Sequence, residues 1–444
     1  MIKSEFILII FFISFFSCQS KKTLVLLDDW NNVETNSLFW KQITGMGYEI
    51  DFKMATDKEI KLTNYGEYIY DNIIFFAPTY SDTKKNEINI KNLLQFIDDG
   101  HDLMIFGSSD ASKFMRELVN EFGVDFDDYN SEVKDSLYLH PDSGVKGINQ
   151  QLLNLHDEEI IISKNVININ NIFSKPNGYI LYRGIGMDLD PQNKYIFPIL
   201  SGDKNSYSVS KLTGEVYSNG EHIKLVNGYQ ARNNKRIVVL GSTDICSDKF
   251  YYLSMNAENK SMLESPNALF CQDILNWNFQ RTGVLKYENV RHNNNLGKTL
   301  DTYRIKDYLE YYIDILEYDY KTDSWKNYES DDVQLTFLMM NPYYINQMKR
   351  IYGKPTYYAK FRAPEKHGVF KFIVDYHRTG YSYIFSSTKI PLRPFYHNEF
   401  PRFIPCAYPY YLSVFVILGA FILFSILFLY GKETIKKKNE FIYS

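Results

Sequence analysis

The sequence predicts an α/β protein with a largely parallel sheet over residues 20–283, a β-sandwich-like domain over 284–408 and one membrane-spanning helix at 411–430. Three observations carry that prediction. Short apolar runs alternate with stretches of helical period through the first hundred residues. After Gly283 the texture changes to β-rich runs separated by Pro, Gly and charged turns. Residues 411–430 then pass without a charge, about the length needed to cross a 30 Å hydrocarbon core.

Residues 1–19 carry one Lys, an uncharged run from Phe6 to Phe16 and then the small residues Ser17 and Cys18, the build of a cleavable export signal. A Cys after an apolar stretch is also the pattern of a lipid-attachment site, which leaves Cys18 as the rival reading. "TLVLL" (23–27) reads as a strand, followed by a helix over Asn36 to Met46 with Phe39, Ile43 and Met46 on one face and Gly47 as its stop. "YEIDF" (48–52) is the next strand and "NIIFFAP" (72–78) a buried one ended by Pro78. Ile90, Leu93, Leu94 and Ile97 mark a helix closed by Gly100, and "LMIFG" (103–107) leads into a helix through Phe114, Leu118 and Phe122. Strand and helix in turn imply crossover units and hence parallel pairing.

"RIVVLGSTD" (236–244) echoes "DLMIFGSSD" (102–110): an apolar strand, then Gly-Ser-x-Asp. Both read as central strands that deliver a tight turn and a carboxylate, Asp110 or Asp244, to the C-terminal edge of the sheet, where Asp28 and Asp29 also fall. Doubly wound folds place their ligand crevice at that edge. Ser265 as N-cap and Pro266 as first helical residue open a helix with Phe270, Ile274 and Trp277 on one face. In the β-rich part, "DVQLTFLMM", "TYYAKFRAP", "GVFKFIVDY" and "YSYIFSST" are strands; in the third, Phe370, Phe372, Val374 and Tyr376 alternate with Val369, Lys371, Ile373 and Asp375.

Tyr408, Tyr410, Tyr411 and Tyr430 frame the apolar segment as an interfacial belt would. Lys432, Lys436, Lys437 and Lys438 follow it, so the positive-inside bias puts the tail, 431–444, in the cytosol and the body on the other side. A formal net charge of -4 over 444 residues gives no basic footprint for nucleic acid. Of the four cysteines only Cys246 and Cys271 lie well inside the body, either bridged or as two buried thiols. The histidines show no pair at ligand spacing, so no metal is predicted. Asn259-Lys260-Ser261 is a glycosylation sequon.

Catalytic signals are weak. "GSSDA" (107–111) sits on a strand-to-helix turn with Ser109 in the place of an elbow nucleophile, and His222 or His292 would have to serve as its base. Gly and Ser are ordinary turn residues, and the turn reading suffices. No Gly-rich phosphate cradle is present, because "GMGYE" (45–49) follows a helix rather than opening one. Asp28 and Asp29 are neighbours at a strand end with diverging side chains, better suited to capping or loop hydrogen bonds than to sharing a proton or a metal.

These stretches together resemble the family of the 48 kDa subunit of the endoplasmic reticulum oligosaccharyltransferase. The resemblance runs through "KTLVLLDDWNNVETNSLFW" (22–40), "YGEYIYDNIIFFAP" (65–78), "FIDDGHDLMIFGSSD" (96–110), "YRGIGMDLDPQN" (182–193), "GYQARNNKRIVVLGSTDICSDKF" (228–250), "GVFKFIVDYHRTGYSYIFSST" (368–388) and "PRFIPCAYPYY" (401–411), and lapses over roughly 126–175. It implies a non-catalytic subunit in the en bloc transfer of a dolichol-linked oligosaccharide to Asn in N-x-S/T sequons. The implied body is luminal, with a domain resembling class I glutamine amidotransferases, and needs no cofactor. The implied partners are a many-spanning catalytic subunit, a ribophorin-like subunit and small anchoring subunits. Such amidotransferases carry Cys at the elbow, whereas Ser109 or Thr243 stands here, so that chemistry is expected to be absent. Asp28, Asp29, Asp110 and Asp244 become candidates for a glycan-facing edge. One departure is the tail: Lys436 to Lys438 are followed by "NEFIYS" rather than lying at a terminal dilysine position.

Overall fold

The structure is a computed structural model that describes residues 21–82, 87–135, 161–163, 172–173, 178–255, 261–400 and 405–431. The export signal with Cys18, the sequon residue Asn259 and the Lys-rich tail fall outside the described residues.

A nine-stranded sheet organises the first part of the chain: β1 (Lys22–Leu27), β2 (Glu49–Met54), β3 (Asn72–Phe76), β4 (Asp102–Phe106), β5 (Val124–Phe126), β6 (Met187–Leu189), β7 (Ile196–Ser201), β8 (Lys224–Gln230) and β9 (Arg236–Leu240). Its order is β2-β1-β3-β4-β9-β8-β6-β5, with β7 also paired to β8. The strands from β2 to β9 run parallel. From β8 outward every pairing is antiparallel, so the sheet is mixed rather than largely parallel. A three-stranded sheet of Ser131–Asp135, Ser206–Ser210 and Val216–Asn219 lies outside it.

The parallel strands are unbroken apolar runs because both of their faces are buried. Val25, Leu27, Ile74, Phe76, Met104, Phe106, Val238 and Leu240 belong to one core cluster. The alternate residues Leu24, Leu26, Ile73, Phe75, Leu103, Ile105, Ile237 and Val239 belong to another. Helices α1 (Asn31–Thr35), α2 (Ser37–Gly45), α3 (Ile90–Asp98), α4 (Lys113–Asn120), α5 (Asp248–Leu253) and α6 (Pro266–Asn278) connect the strands. Phe39, Ile43, Ile274 and Trp277 from α2 and α6 cover the first face. Leu93, Phe96, Phe114 and Leu118 from α3 and α4 cover the second. Side chains of Asn89, Ser112, Ser247 and Ser265 cap their helices by accepting from backbone N–H groups.

The second part packs two sheets of five strands face to face. One holds β10 (Leu285–Asn294), β11 (Tyr308–Asp319) and β14 (Thr356–Arg362); the other holds β12 (Gln334–Leu338), β13 (Pro342–Gln347), β15 (Gly368–Tyr376) and β16 (Ile384–Arg393). Phe370, Phe372, Val374 and Tyr376 of β15 point inward, as the alternation predicts. Phe337 stacks on Phe370 at 4.8 Å and meets Phe361 and Phe372 at 5.0 Å, a core of aromatic pairs.

The turn between β15 and β16 docks this sandwich on the first part. Trp277 Nε1 donates to the Gly380 carbonyl (2.8 Å), Gln230 Nε2 to that of Tyr381 (2.7 Å), and the Tyr383 N–H donates to Asn234 Oδ1 (2.6 Å). Gly283, where the chain crosses over, has φ +66, and a Cβ there would run into the Gly380 carbonyl. At the far end α7 (Tyr408–Tyr430) is apolar on all sides, its Ser413 and Ser425 hydroxyls turned onto the Tyr410 and Phe421 carbonyls of the helix itself.

Candidate functional site

In the parallel half the strand order reverses between β1 and β3, the position at which open α/β sheets form a ligand crevice beyond their strand ends. Asp28, after β1, accepts the Thr79 N–H (2.9 Å) and Oγ1–H (2.8 Å) from the turn after β3. That carboxylate therefore ties together the two strand-end turns that flank the switch point. Asp29 accepts from the Asn31 N–H (3.2 Å) and Nδ2 (2.9 Å) and forms its own turn.

The two Gly-Ser-x-Asp turns lie side by side because β4 and β9 pair in parallel. The Gly107 N–H donates to the Leu240 carbonyl (2.6 Å), and Ala111 N–H to that of Ser108 (3.0 Å). Gly241 is required: a Cβ on it would collide with the Ile185 carbonyl and the Tyr182 hydroxyl. Asp244 is held by Arg183, whose Nε and Nη2 reach Oδ2 at 2.8 and 2.5 Å. Asp110 is exposed on the same edge. The four carboxylates thus share an edge without forming one cluster, and no group of His, Cys, Asp or Glu suited to a metal occurs among the described residues.

Ser109 has no catalytic base beside it among the hydrogen bonds of the described residues. His292 lies in the sandwich, its Nδ1 2.7 Å from the Tyr303 hydroxyl and its ring against Phe372, with burial lowering its pKa. His222 is exposed on the short turn Gly220–His222. Cys246 and Cys271 are joined in a disulfide, pinning the segment after β9 to α6.

Several supporting residues escaped the sequence reading. Asp248 caps α2 from 211 residues away: Oδ2 accepts from the Ser37 N–H (3.1 Å) and Oγ (2.7 Å), and Oδ1 from the Leu38 N–H (2.9 Å). Arg236, fully buried, donates to the carbonyls of Trp277 (2.7 Å), Thr282 (2.6 Å) and Gly283 (2.8 Å), and burial lowers its pKa to about 10. A charged residue opening an apolar run was the available signal. At this opposite edge two clefts, of about 640 and 510 Å³, flank the hairpin after β11 and share Tyr318 and Tyr320. In the smaller, Arg281 lies 5.2 Å over the Tyr320 ring, and burial pushes the Tyr48 hydroxyl up to about 12.

Comparison with known proteins finds relatives over most of the chain. A family model described as OST48, N-terminal domain, matches residues 14–281, and one described as OST48 middle domain matches 289–432. The chain is 34% identical over 421 residues to the dolichyl-diphosphooligosaccharide–protein glycosyltransferase 48 kDa subunit of Arabidopsis thaliana, covering 93% of both chains. It is 34% identical over 428 residues to the subunit of that name from Danio rerio, covering 94% of this chain and 93% of the other. With the Drosophila melanogaster protein of the same name, identity is 32% over 424 residues, 93% and 91% of the two chains. Among solved structures, a carbohydrate deacetylase, Agd3, superposes with TM-score 0.33 at 10% identity, over 60% of this chain and 34% of that one, too distant to carry an argument.

Proposed function

The chain belongs to the OST48 family, and on that premise we propose that it is the non-catalytic 48 kDa-type subunit of the oligosaccharyltransferase of the endoplasmic reticulum. It serves the complex that glycosylates Asn in N-x-S/T sequons. The observation that carries this reading is the match of both family domains in order, with relatives of that name aligned over more than nine-tenths of the chain. Glycosyl transfer itself belongs to a many-spanning partner subunit. In support, the strand-end carboxylates are taken up by structural partners: Asp28 by Thr79, Asp29 by Asn31 and Asp244 by Arg183.

The proposal extends to topology and partners. The body lies in the lumen, α7 crosses the membrane once and the tail is cytosolic; a ribophorin-like subunit and small anchoring subunits complete the assembly and hold this chain in the endoplasmic reticulum. The parallel half, with its order β2-β1-β3-β4 and its turn after β4, is consistent with a fold related to class I glutamine amidotransferases, with Ser109 or Thr243 where their elbow Cys would stand. Of the strand-end carboxylates, exposed Asp110 is available to glycan hydroxyls, while Asp28, Asp29 and Asp244 shape the edge. Asn259 is a glycan acceptor in this reading.

Depletion of the protein, read by sequon occupancy on a reporter glycoprotein, tests the proposal. Occupancy should fall and be restored equally by the wild type and by Ser109→Ala. Unchanged occupancy on depletion, or failure of Ser109→Ala alone to restore it, would reject the non-catalytic role.

A further inference from the structure

Residues 393–400, which follow the sandwich, are held as a fixed turn. β16 ends at Arg393, whose Nη1 and Nη2 donate to the two carboxylate oxygens of Glu399 at 2.7 and 2.9 Å. Glu399 Oε2 also accepts the Tyr396 N–H (2.9 Å), and the Glu399 N–H returns to the Tyr396 carbonyl (3.0 Å). Arg393 lies 3.9 Å over the Tyr396 ring, Arg304 lies 5.2 Å over Phe395, and Phe395 packs on Phe400 at 5.4 Å. Forked arginine–carboxylate pairing of this kind fixes geometry as well as contributing energy. Yet this pinned turn leaves Tyr396 61% and Phe400 48% exposed.

Pinning large aromatic rings in water is unfavourable unless something covers them. The membrane is the surface that the covalent chain itself brings near: Phe400 stands eight residues before Tyr408, at most roughly 28 Å of extended chain. The same end of the sandwich carries a further exposed apolar side chain. Gly368, opening β15, pairs with Leu392, and Lys371 pairs with Leu338 at the end of β12. The β12–β13 turn that follows, with Met340 88% exposed, therefore lies at the strap's end of the domain. The first, α/β part docks at the other end, on the β15–β16 turn.

We propose that residues 393–400 form a strap that rests in the headgroup layer of the bilayer and sets the attitude of the whole body above it. The inference depends on α7 being the membrane span. Tyrosine and phenylalanine rings suit the interface, where one part of the ring is wet and the other apolar. The charged groups around them, Arg304 and Arg393 against Asp307 and Glu399, balance, so the contact is with zwitterionic phospholipid and not with anionic lipid in particular.

The test uses the full chain within its co-purified assembly in phosphatidylcholine nanodiscs, with Tyr396→Trp, Phe400→Trp, Phe421→Trp and Tyr65→Trp each read as the difference from the parent assembly in quenching by brominated lipids. Quenching at 396 and 400 should be strongest with bromine high on the acyl chain and at 421 with bromine deep in it, while 65 stays unquenched. Glu399→Ala should remove most of the quenching at 400 while leaving the circular dichroism unchanged. Quenching at 421 without any at 396 and 400 would overturn the strap and leave the span, making this turn a protein-facing surface. No quenching at 421 would overturn the span and the strap together.

Discussion

Single residues here serve mostly as distant fasteners. Asp248 is the clearest: helix α2 receives no side-chain cap from Asn36 before it, and the free N–H groups of its first turn are met by a carboxylate from after β9. Asp248→Ala should therefore lower stability by about 1 kcal/mol, the ordinary worth of an N-cap, readable in a denaturant titration. Glu399 supplies a pH-dependent fastener. The Arg393 side chain, and then the Tyr396 N–H, hold its carboxyl down from the ordinary 4.5 to about 2. A depressed carboxyl stabilises the folded form above its unfolded value, and that contribution disappears as pH falls from near 4.5 through about 2. The anisotropy of a Trp placed at Phe400 should accordingly stay high at neutral pH and drop across that window, whereas Glu399→Gln should show no such drop. Strand-end carboxylates were legible as such in the sequence. Their partners were not, since Thr79 lies 51 residues from Asp28 and Arg183 lies 61 from Asp244, and no local pattern encodes such a pairing.

At the scale of elements, the parallel half of the sheet was readable because burial on both faces forces unbroken apolar runs such as Leu24 to Leu27 and Ile73 to Phe76. The antiparallel half was not. Its β5 and β6 are three residues each, and β6 reads Met187-Asp188-Leu189, too short to show a period. β11 was within reach: Leu309, Tyr311, Ile313 and Ile315 alternate inward along it, a two-residue period that identifies a half-buried strand. The disulfide belongs to this scale as well, because it ties the segment after β9 to α6 across 25 residues. Replacing Cys246 and Cys271 by Ser should cost about 3 kcal/mol if the loop entropy of the unfolded chain dominates. Thermal melting of the double variant would show it as a lowered midpoint, and a midpoint unchanged from the wild type would mean the bridge contributes nothing.

At the scale of the molecule, the two parts form one body rather than beads on a string. Arg236 ties β9 to the end of α6 and to Gly283, and Trp277 and Gln230 bond the sandwich turn, so the α/β unit stands on the sandwich as on a pedestal. β15 and β16, of 9 and 10 residues, span roughly 30 Å at about 3.3 Å per residue, the height at which the strand-end edge's own domain is held above the strap. Such an arrangement suits a subunit that positions a surface for a neighbour, and it predicts that the chain is at home only in an assembly. The most direct test is purification of a tagged copy in mild detergent, with identification of the co-purifying proteins and an assay of glycosyl transfer to a sequon peptide. A many-spanning partner should co-purify, with transfer activity that survives Ser109→Ala and Asp28→Asn. A chain that purifies alone, stable and without a partner, would contradict the account.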